Sequence, residues 1–246
     1  AICPDFIVLE TDPPKYHHVY KKILAIMQDY SPNVKMQSID EGVVDFHGLE
    51  HTLKGKSLPE IGYEIKRRVK TEIGSWMRIN VGIAPNRFLA KQAASWHKPD
   101  GLDILSYKNL IDYYQQISLT DLTGIASHYE ERLYDANIFT PLEFLQASGE
   151  YLRRFVFHSV IGEDWHQRLR GYEVDGNPTK KGNVGRQFVL DIRSADDNVI
   201  LPRFHYLCET TGKKLRYNNL DARGILVWAH FQTGDRWYKR QMFKTT

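Results

Sequence analysis

The chain has 246 residues, of which 42% are apolar and 26% are charged, and its formal net charge is +3. This composition is ordinary for a soluble globular protein, and the length suits one large domain or two to three small ones. The sequence contains no apolar stretch of roughly 18 residues and no basic segment followed by an apolar one at its start, so we expect neither a membrane-spanning helix nor a secretory leader.

The first hundred residues alternate between helix and strand patterns. Apolar residues at helical spacing predict helices within 13–32, 58–74 and 86–96, the last with Asn86 as a candidate N-cap. Shorter segments predict strands, namely "VKMQSI" (34–39), "VVDF" (43–46), "MRINVGI" (77–83) and "LDIL" (102–105). This order predicts an α/β or α+β sheet covered by helices.

The pattern changes at about residue 107. Short helical segments separated by Thr, Gly and Pro predict an all-helical module that ends near residue 172, and the polar stretch 173–181 is typical of a linker. The elements predicted beyond the linker are a strand over 184–192, a long helix within 198–220, and a hairpin of 222–231 with 236–243. The sequence therefore predicts three modules.

Charge is unevenly distributed along the chain. Residues 178–246 carry 13 Lys or Arg and 6 Asp or Glu, a net charge of +7, whereas residues 1–177 have a net charge of −4. A basic C-terminal segment suits a polyanionic partner, although a solvated basic face would give the same count.

Two adjacent acids, Asp40 and Glu41, stand between two predicted strands. Neighbouring strand residues point to opposite faces, so these side chains can share a site only where the backbone turns, and Gly42 permits a turn. Carboxylate oxygens are ligands that Mg²⁺ and Mn²⁺ prefer, and two such ions ~3.5–4 Å apart can activate an attacking oxygen and neutralise a leaving group. A solvated hairpin corner is the commoner explanation for such a pair taken alone.

The motif "SIDE" (38–41) is followed some forty residues later by "VGIAPNRFLAKQAASWHKPDG" (81–101). This combination resembles the Y-family DNA polymerases, the translesion enzymes of the bacterial polymerase IV type. Three further segments resemble that family as well, namely "CPDFIVLETDPPKYHHVYKKI" (3–23), "LTDLTGIASHYEERLYDANIFTPLEFL" (119–145) and "NVGRQFVL" (183–190).

The resemblance implies an α+β multidomain fold. Residues 1–106 would form a palm, a mixed sheet with helices, and residues 107–172 an all-helical thumb with a helix-hairpin-helix. Residues 173–181 would be the linker, and residues 182–246 an incomplete α/β little finger.

Roles for three residues follow from the resemblance. Asp40 would bind two catalytic ions, Mg²⁺ or Mn²⁺, and Glu41 the ion that activates the primer 3′-hydroxyl. Lys98 would contact the triphosphate of the incoming dNTP, a role that suits an ammonium group, although a surface lysine ending a helix is the alternative. Arg87 and Lys91 lie four residues apart on one helix face, where they would hold template or phosphate or remain solvated.

DNA binding is implied for residues of both C-terminal modules. "LTGIAS" (122–127) resembles a hairpin that presents backbone N–H groups to a DNA phosphate, with Gly124 matching a family glycine and Ala126 replacing the second one. A plain helix connection is the alternative. The basic surface of the little finger would consist of Arg186, Arg216, Arg223, Arg236, Lys239 and Arg240, which would make salt-dependent phosphate contacts. For Trp228 and Trp237 we predict packing within the sheet.

The family's early "D-x-D" strand, which carries a third carboxylate, and its fingers module have no counterpart in the sequence. Asp5 and Asp12 are the only early aspartates, and they align after the fingers. We therefore expect a core fragment of a DNA-directed DNA polymerase, which performs two-metal nucleotidyl transfer during damage bypass and is catalytically incomplete as it stands. A non-catalytic DNA-binding or scaffold relative is the alternative, and an unrelated helix-hairpin-helix repair protein would leave the palm motifs unexplained.

The partners that the resemblance implies are primer–template DNA, an incoming dNTP and, through a segment absent here, a sliding clamp. No membrane is implied. We expect the protein in the cytoplasm, associated with the nucleoid, if it is prokaryotic, and in the nucleus if it is eukaryotic.

Overall fold

A computed structural model describes residues 7, 9–49, 53, 55–176, 182–190 and 193–243. The chain divides into two compact units, Ala1–Asn177 and Pro178–Thr246. The division falls inside the stretch predicted as a linker. Asp5 lies outside the described residues, and none of the helices in the described part is long and apolar enough to span a membrane.

The first unit opens with a helix that packs against a short hairpin. Helix α1, Pro13–Gln28, begins where the Asp12 carboxylate accepts a hydrogen bond from Lys15 N at 3.1 Å. Strands β1, Val34–Met36, and β2, Gly42–Val44, pair antiparallel as a hairpin, so the two predicted strands are confirmed. Gly42 packs against two methionines, and an added Cβ would lie 2.7 Å from Met36 Sδ and 2.8 Å from Met27 Cε, so the ends of these flexible side chains would have to shift.

A parallel strand pair with a crossover helix follows. Helix α2, Leu58–Arg68, continues as a π-helical turn, Val69–Ile73, and leads to β3, Val81–Ile83. Helix α3, Arg87–Trp96, then connects β3 to β4, Leu102–Ile104, which pairs parallel with β3. An added Cβ on Gly82 would lie 1.9 Å from Ala90 O, so glycine at this strand position allows the close approach of α3.

The prediction of a single mixed palm sheet is wrong for the described residues. The strands form two separate pairs, β1 with β2 and β3 with β4. Each strand has three residues and therefore offers few ladder hydrogen bonds. Packing of the helices against the strands supplies the cohesion instead, with α1 against the first pair and α3 against the second.

Five short helices complete the first unit, and their hydrophobic core continues into α3. Leu89 and Ala93 of α3 belong to one buried cluster with Tyr114, Phe144 and Trp165. The core is therefore continuous across residue 107, where the sequence pattern changes. The helices are α4, Leu110–Gln115; α5, Ser127–Asp135; α6, Pro141–Gln146; α7, Gly149–Tyr151, which runs on as a π-helical segment, Leu152–Phe157; and α8, Ile161–Arg168.

Asn86 joins the start of α3 to the end of the helical part. Its Oδ1 accepts a hydrogen bond from Leu89 N at 2.8 Å, which confirms the predicted N-cap. Its Nδ2 donates to Arg168 O at 2.9 Å and to Tyr172 O at 2.8 Å. The side chain is buried, with 5% of its surface exposed, so all three bonds are shielded from water.

We expect Asn86→Ala to lower the free energy of unfolding of the chain by about 3 kcal/mol, since a helix cap is worth about 1 kcal/mol and each of two stranded carbonyls costs about as much. Asn86→Ser keeps a cap acceptor but cannot reach the carbonyls, so it should recover about 1 kcal/mol of this loss. Urea unfolding followed by tryptophan fluorescence measures both variants. An Ala variant as stable as the unmodified chain would show that these bonds contribute nothing.

The second unit contains one long helix and a hairpin. Helix α9 spans Asp197–Tyr217, and strands β5, Gly224–His230, and β6, Arg236–Met242, pair antiparallel, so both predictions are confirmed. The strand predicted over 184–192 is wrong where the structure describes it, because residues 182–190 have no regular structure. The composition of this segment suits a strand. In the described part of the unit, however, β5 and β6 pair only with each other, so the segment has no neighbouring strand with which to form ladder hydrogen bonds.

Candidate active site

The acidic pair lies in the turn between β1 and β2, and both side chains are exposed. Glu41 O accepts hydrogen bonds from Gln37 N at 2.8 Å and from Ser38 N at 3.2 Å, which closes the turn. Ser38 Oγ donates to Asp40 Oδ1 at 2.5 Å. The backbone therefore bends where the sequence required it to, and Ser38, the first residue of the "SIDE" motif, orients the Asp40 carboxylate.

Glu41 forms an ion pair with Lys91 of α3. This contact connects the acidic turn to the second motif, which is fifty residues away in sequence. Sequence reasoning missed this ion pair, because Lys91 and Arg87 were predicted either to hold template or phosphate or to remain solvated. Arg87 is also paired within the chain, since its Nε lies 3.2 Å from Glu173 Oε1.

Lys98 follows α3 in the loop that leads to β4, and it is exposed. In the described part of the chain its ammonium group has no hydrogen bond or ion pair, and the structure records no contact between it and the acidic pair. Lys91 lies five residues before Trp96, the last residue of α3, which corresponds to about 7.5 Å along the helix axis, and Lys98 follows two residues later. The acidic turn and the Lys98 loop are therefore both attached to α3.

The loop that carries Lys98 is held by partly buried polar contacts that sequence reasoning did not single out. Lys66 Nζ donates to Asp100 Oδ1 at 2.7 Å, and Lys70 Nζ donates to Asp100 Oδ2 at 2.7 Å. These two ammonium groups lower the pKa of the Asp100 carboxyl to about 2. The sequence places Lys66 four residues after Gly62 and three before Val69, so these three residues share a helix face, and all three are buried.

The low pKa of Asp100 implies that the free energy of unfolding of the chain depends on pH in the acidic range. Its carboxyl has a lower pKa in the folded chain, about 2, than its ordinary value of 3.8, so ionisation favours the fold above about pH 4, and this contribution is lost as the pH falls towards 2. Asp100→Asn, which tolerates the left-handed backbone at this position (φ +62°), should therefore be less stable than the unmodified chain at pH 5. Urea unfolding should show the difference narrowing between pH 4 and 2, and a constant difference would contradict the ion pairs.

The acidic pair supplies some of the ligands that a hard divalent cation needs. Two carboxylates supply the oxygen ligands that Mg²⁺ and Mn²⁺ prefer, and water and substrate phosphates usually complete the coordination. Among the described residues no group of three or more His, Cys, Asp or Glu side chains is placed to hold an ion. Asp12, which is the cap of α1, is therefore no third ligand here.

The hairpin predicted to bind phosphate precedes α5. Gly124 has a left-handed backbone (φ +101°), and Ala126 is the N-cap residue of α5 and provides no side-chain cap. An added Cβ on Gly124 would lie 3.4 Å from Trp165 Cζ2, so the turn packs closely on α8. These features are compatible with phosphate binding and equally with a plain helix connection, so the role remains a prediction.

The second unit presents unpaired basic groups. In its described residues, 182–190 and 193–243, no ion pair is formed. By the strand register, Arg236, Tyr238 and Arg240 share one face of the hairpin with Trp228, whereas Lys239 and Trp237 lie on the other. Both tryptophans are half exposed, so packing within the hairpin covers them only partly. The predicted DNA-binding residues of this unit are all exposed, namely Arg186, Arg216, Arg223, Arg236, Lys239 and Arg240.

Comparisons with known proteins agree with the two sequence motifs. The model of the impB/mucB/samB family matches residues 1–95. DNA polymerase IV of Pelotomaculum thermopropionicum is 30% identical over 236 residues, which cover 92% of this chain and 56% of that protein. DNA polymerase IV of Treponema denticola is 30% identical over 200 residues, which cover 78% of this chain and 49% of that protein. The chain thus spans about half the length of these relatives.

Solved structures share the fold. The Y-family DNA polymerase chimera Dbh-Dpo4-Dbh matches with a TM-score of 0.69 at 23% identity, over 98% of this chain and 69% of that one. An insertion ternary complex of Dbh DNA polymerase matches with a TM-score of 0.59 at 22% identity, over 98% of this chain and 68% of that one. The chain is similar in sequence to bacterial DNA polymerase IV and, over residues 1–95, to the impB/mucB/samB family, and it shares the α+β fold of these solved structures.

Proposed function

We propose that this chain is the core of a translesion DNA polymerase, which extends a primer 3′-end opposite a template during damage bypass. The observation that carries the proposal is the ion pair between Glu41 and Lys91. It joins the two motifs that the sequence separates by some forty residues, and it attaches the acidic turn to the helix that ends at the Lys98 loop. The similarity to bacterial DNA polymerase IV supports the same conclusion.

In this proposal Asp40 and Glu41 hold two divalent ions, Mg²⁺ or Mn²⁺, together with a ligand from outside the described residues. Bound there, the ions would activate the primer 3′-hydroxyl and neutralise charge on the leaving pyrophosphate. Ser38 keeps the Asp40 carboxylate oriented by its hydrogen bond. Lys91 has to release Glu41 for metal binding. An exposed ion pair of this kind stabilises by only about 0–1 kcal/mol, so breaking it costs little free energy.

Lys98 binds the triphosphate of the incoming dNTP. An ammonium group on phosphate oxygens is a strong charge-assisted contact, and its worth grows as charge develops during transfer. The exposure of Lys98 and the lack of a partner for it within the described chain support this role. In the transfer step the primer 3′-oxygen forms a bond to the α-phosphorus of the dNTP, the bond from that phosphorus to the β-phosphate oxygen breaks, and pyrophosphate leaves.

DNA is held along its phosphates by the remaining modules. We assign residues 1–106 to the palm, 107–172 to a thumb with a helix-hairpin-helix around Gly124 and Ala126, 173–181 to the linker and 182–246 to part of the little finger. The six exposed arginines and lysines of that last module contact phosphates irrespective of sequence, so affinity falls steeply as salt rises. The net charge of +7 over residues 178–246 supports this role.

Primer extension tests the proposal. We expect the full-length protein to add dNTPs to a primer–template in the presence of Mg²⁺ and to read through a damaged template base. The 246-residue chain by itself should bind primer–template DNA weakly and salt-sensitively in an electrophoretic shift assay and should not extend it. If the full-length protein binds DNA but does not extend the primer, the proposed polymerase activity is rejected.

That outcome would favour a second candidate, a non-catalytic DNA-binding or scaffold relative. One observation supports this candidate, namely that the described residues contain no group of three acidic or other metal-binding side chains. The exposed Asp40, Glu41 and Lys98 argue for the enzyme, because a relative that had lost its chemistry would not need them.

A further inference from the structure

Lys66 is a buried lysine, with 8% of its surface exposed. Burying an ammonium group is costly unless every hydrogen finds a partner. Lys66 Nζ donates to Asp100 Oδ1 at 2.7 Å, to Asp100 O at 2.7 Å and to Ile79 O at 2.8 Å, and Gly101 O lies 3.2 Å away. The group is therefore fully satisfied, and three of its four acceptors belong to the segment that directly follows Lys98.

The same segment is fixed from two other directions. Gly101 N donates to Asn80 Oδ1 at 2.9 Å, and Gly101 O accepts a hydrogen bond from Val81 N at 3.1 Å. On the other side of Lys98, His97 Nδ1 lies 2.6 Å from Asp103 Oδ1. The backbone that follows Lys98 is therefore anchored, and the preceding residue is held through its side chain, while the Lys98 side chain itself is exposed.

We propose that Lys66, through Asp100, is a positioning residue that holds the Lys98 loop in the conformation that meets the nucleotide triphosphate. The inference rests on the proposed function. Lys66 has no contact with the nucleotide, and its effect passes through Lys98 alone. An apolar side chain in its place would fill the space between α2 and the loop but would remove the donor to Asp100 Oδ1, Asp100 O and Ile79 O, while Lys70 would still donate to Asp100 Oδ2.

The competing explanation is that Lys66 only stabilises the fold. A double-mutant cycle of Lys66 and Lys98 distinguishes this explanation from the positioning role, because only positioning couples the effects of the two substitutions on KM. The measurement is single-nucleotide incorporation by the full-length protein, with KM for dNTP and kcat determined for Lys66→Met, Lys98→Ala and the double variant. Lys98→Ala should raise KM about tenfold, which corresponds to one lost charge-assisted contact. Lys66→Met should raise KM several-fold while kcat stays closer to its original value.

In the Lys98→Ala background we expect Lys66→Met to cause no further rise in KM, because there is no ammonium group left to position. Equal effects of Lys66→Met in both backgrounds, or no effect in either, would overturn the positioning role. An unchanged KM in Lys98→Ala alone would instead refute the proposed nucleotide contact of Lys98, so failure of the two proposals can be told apart.

Two further variants guard against an effect of folding. Asp100→Asn keeps the backbone carbonyls that Lys66 binds and removes only the charged acceptor, so it should show the same pattern with a smaller rise in KM, and it replaces Lys66→Met in the cycle if that variant does not fold. Lys56→Met removes a lysine whose ion pair with Glu64, at 2.5 Å, is exposed. This matched control should leave KM and kcat unchanged.

Discussion

Asp40→Ala in the full-length protein is expected to abolish primer extension, with a loss of at least ~1,000-fold in rate, because the metal stabilisation that the carboxylate supports is worth several kcal/mol. DNA binding should remain, since Asp40 lies on an exposed turn and its contacts to the rest of the fold are the local bonds to Ser38. Extension of a labelled primer and an electrophoretic shift assay, run on the same preparation, measure the two properties.

Asp45→Asn provides the control for this variant. Asp45 is an exposed carboxylate just beyond the same hairpin, and its Oδ1 accepts a hydrogen bond from His47 N at 2.9 Å, which an amide oxygen can also accept. Extension by this control should be unchanged. Undiminished extension by Asp40→Ala would reject the assignment of the site.

Replacing Arg236, Lys239 and Arg240 together by Ala is expected to weaken DNA binding by more than ~10-fold at moderate salt and to make it less salt-dependent. If each side chain neutralises one phosphate, the slope of log affinity against log salt concentration should fall in magnitude by about 2.7, at about 0.9 per contact on duplex DNA. The three residues are exposed and unpaired, so the hairpin should remain folded. Shift assays over a series of salt concentrations give the slope.

A triple variant of Lys15, Lys21 and Lys108, all exposed residues of the first unit, removes the same charge elsewhere. It should change the slope much less, because a general change in net charge releases no condensed counterions from bound phosphates. Equal changes in the two variants would show that the basic hairpin has no special role in holding DNA.

The helices could be predicted from the sequence because their signals are local. Apolar spacing and the predicted cap at Asn86 lie within the segments themselves, and the structure confirms them. The formation of sheets depends on which strands, distant in sequence, pair with each other. The periodicity of apolar residues along the chain does not specify this pairing. The single palm sheet and the strand over 184–192 were therefore the predictions that were wrong.

The candidate site was predictable as a set of residue types but not as a set of contacts. Asp40, Glu41 and Lys98 stood out through their motifs, whereas the ion pair of Glu41 with Lys91 joins positions fifty residues apart. Lys66 sits in the basic run "KRR" (66–68), which suggests solvated charges. Residue spacing does not distinguish it from Arg68, which lies seven residues after Ile61 and three after Ile65, so the burial of Lys66 depends on the packing of the loop against it.

The most direct test of the account is a crystal structure of the full-length protein with primer–template DNA, a non-hydrolysable dNTP analogue and Mn²⁺, whose anomalous scattering locates the ion. The account predicts Mn²⁺ bound by the carboxylates of both Asp40 and Glu41, Lys91 released from Glu41, and the Lys98 ammonium group on the triphosphate. Mn²⁺ bound to other side chains, with Glu41 still paired to Lys91, would contradict it.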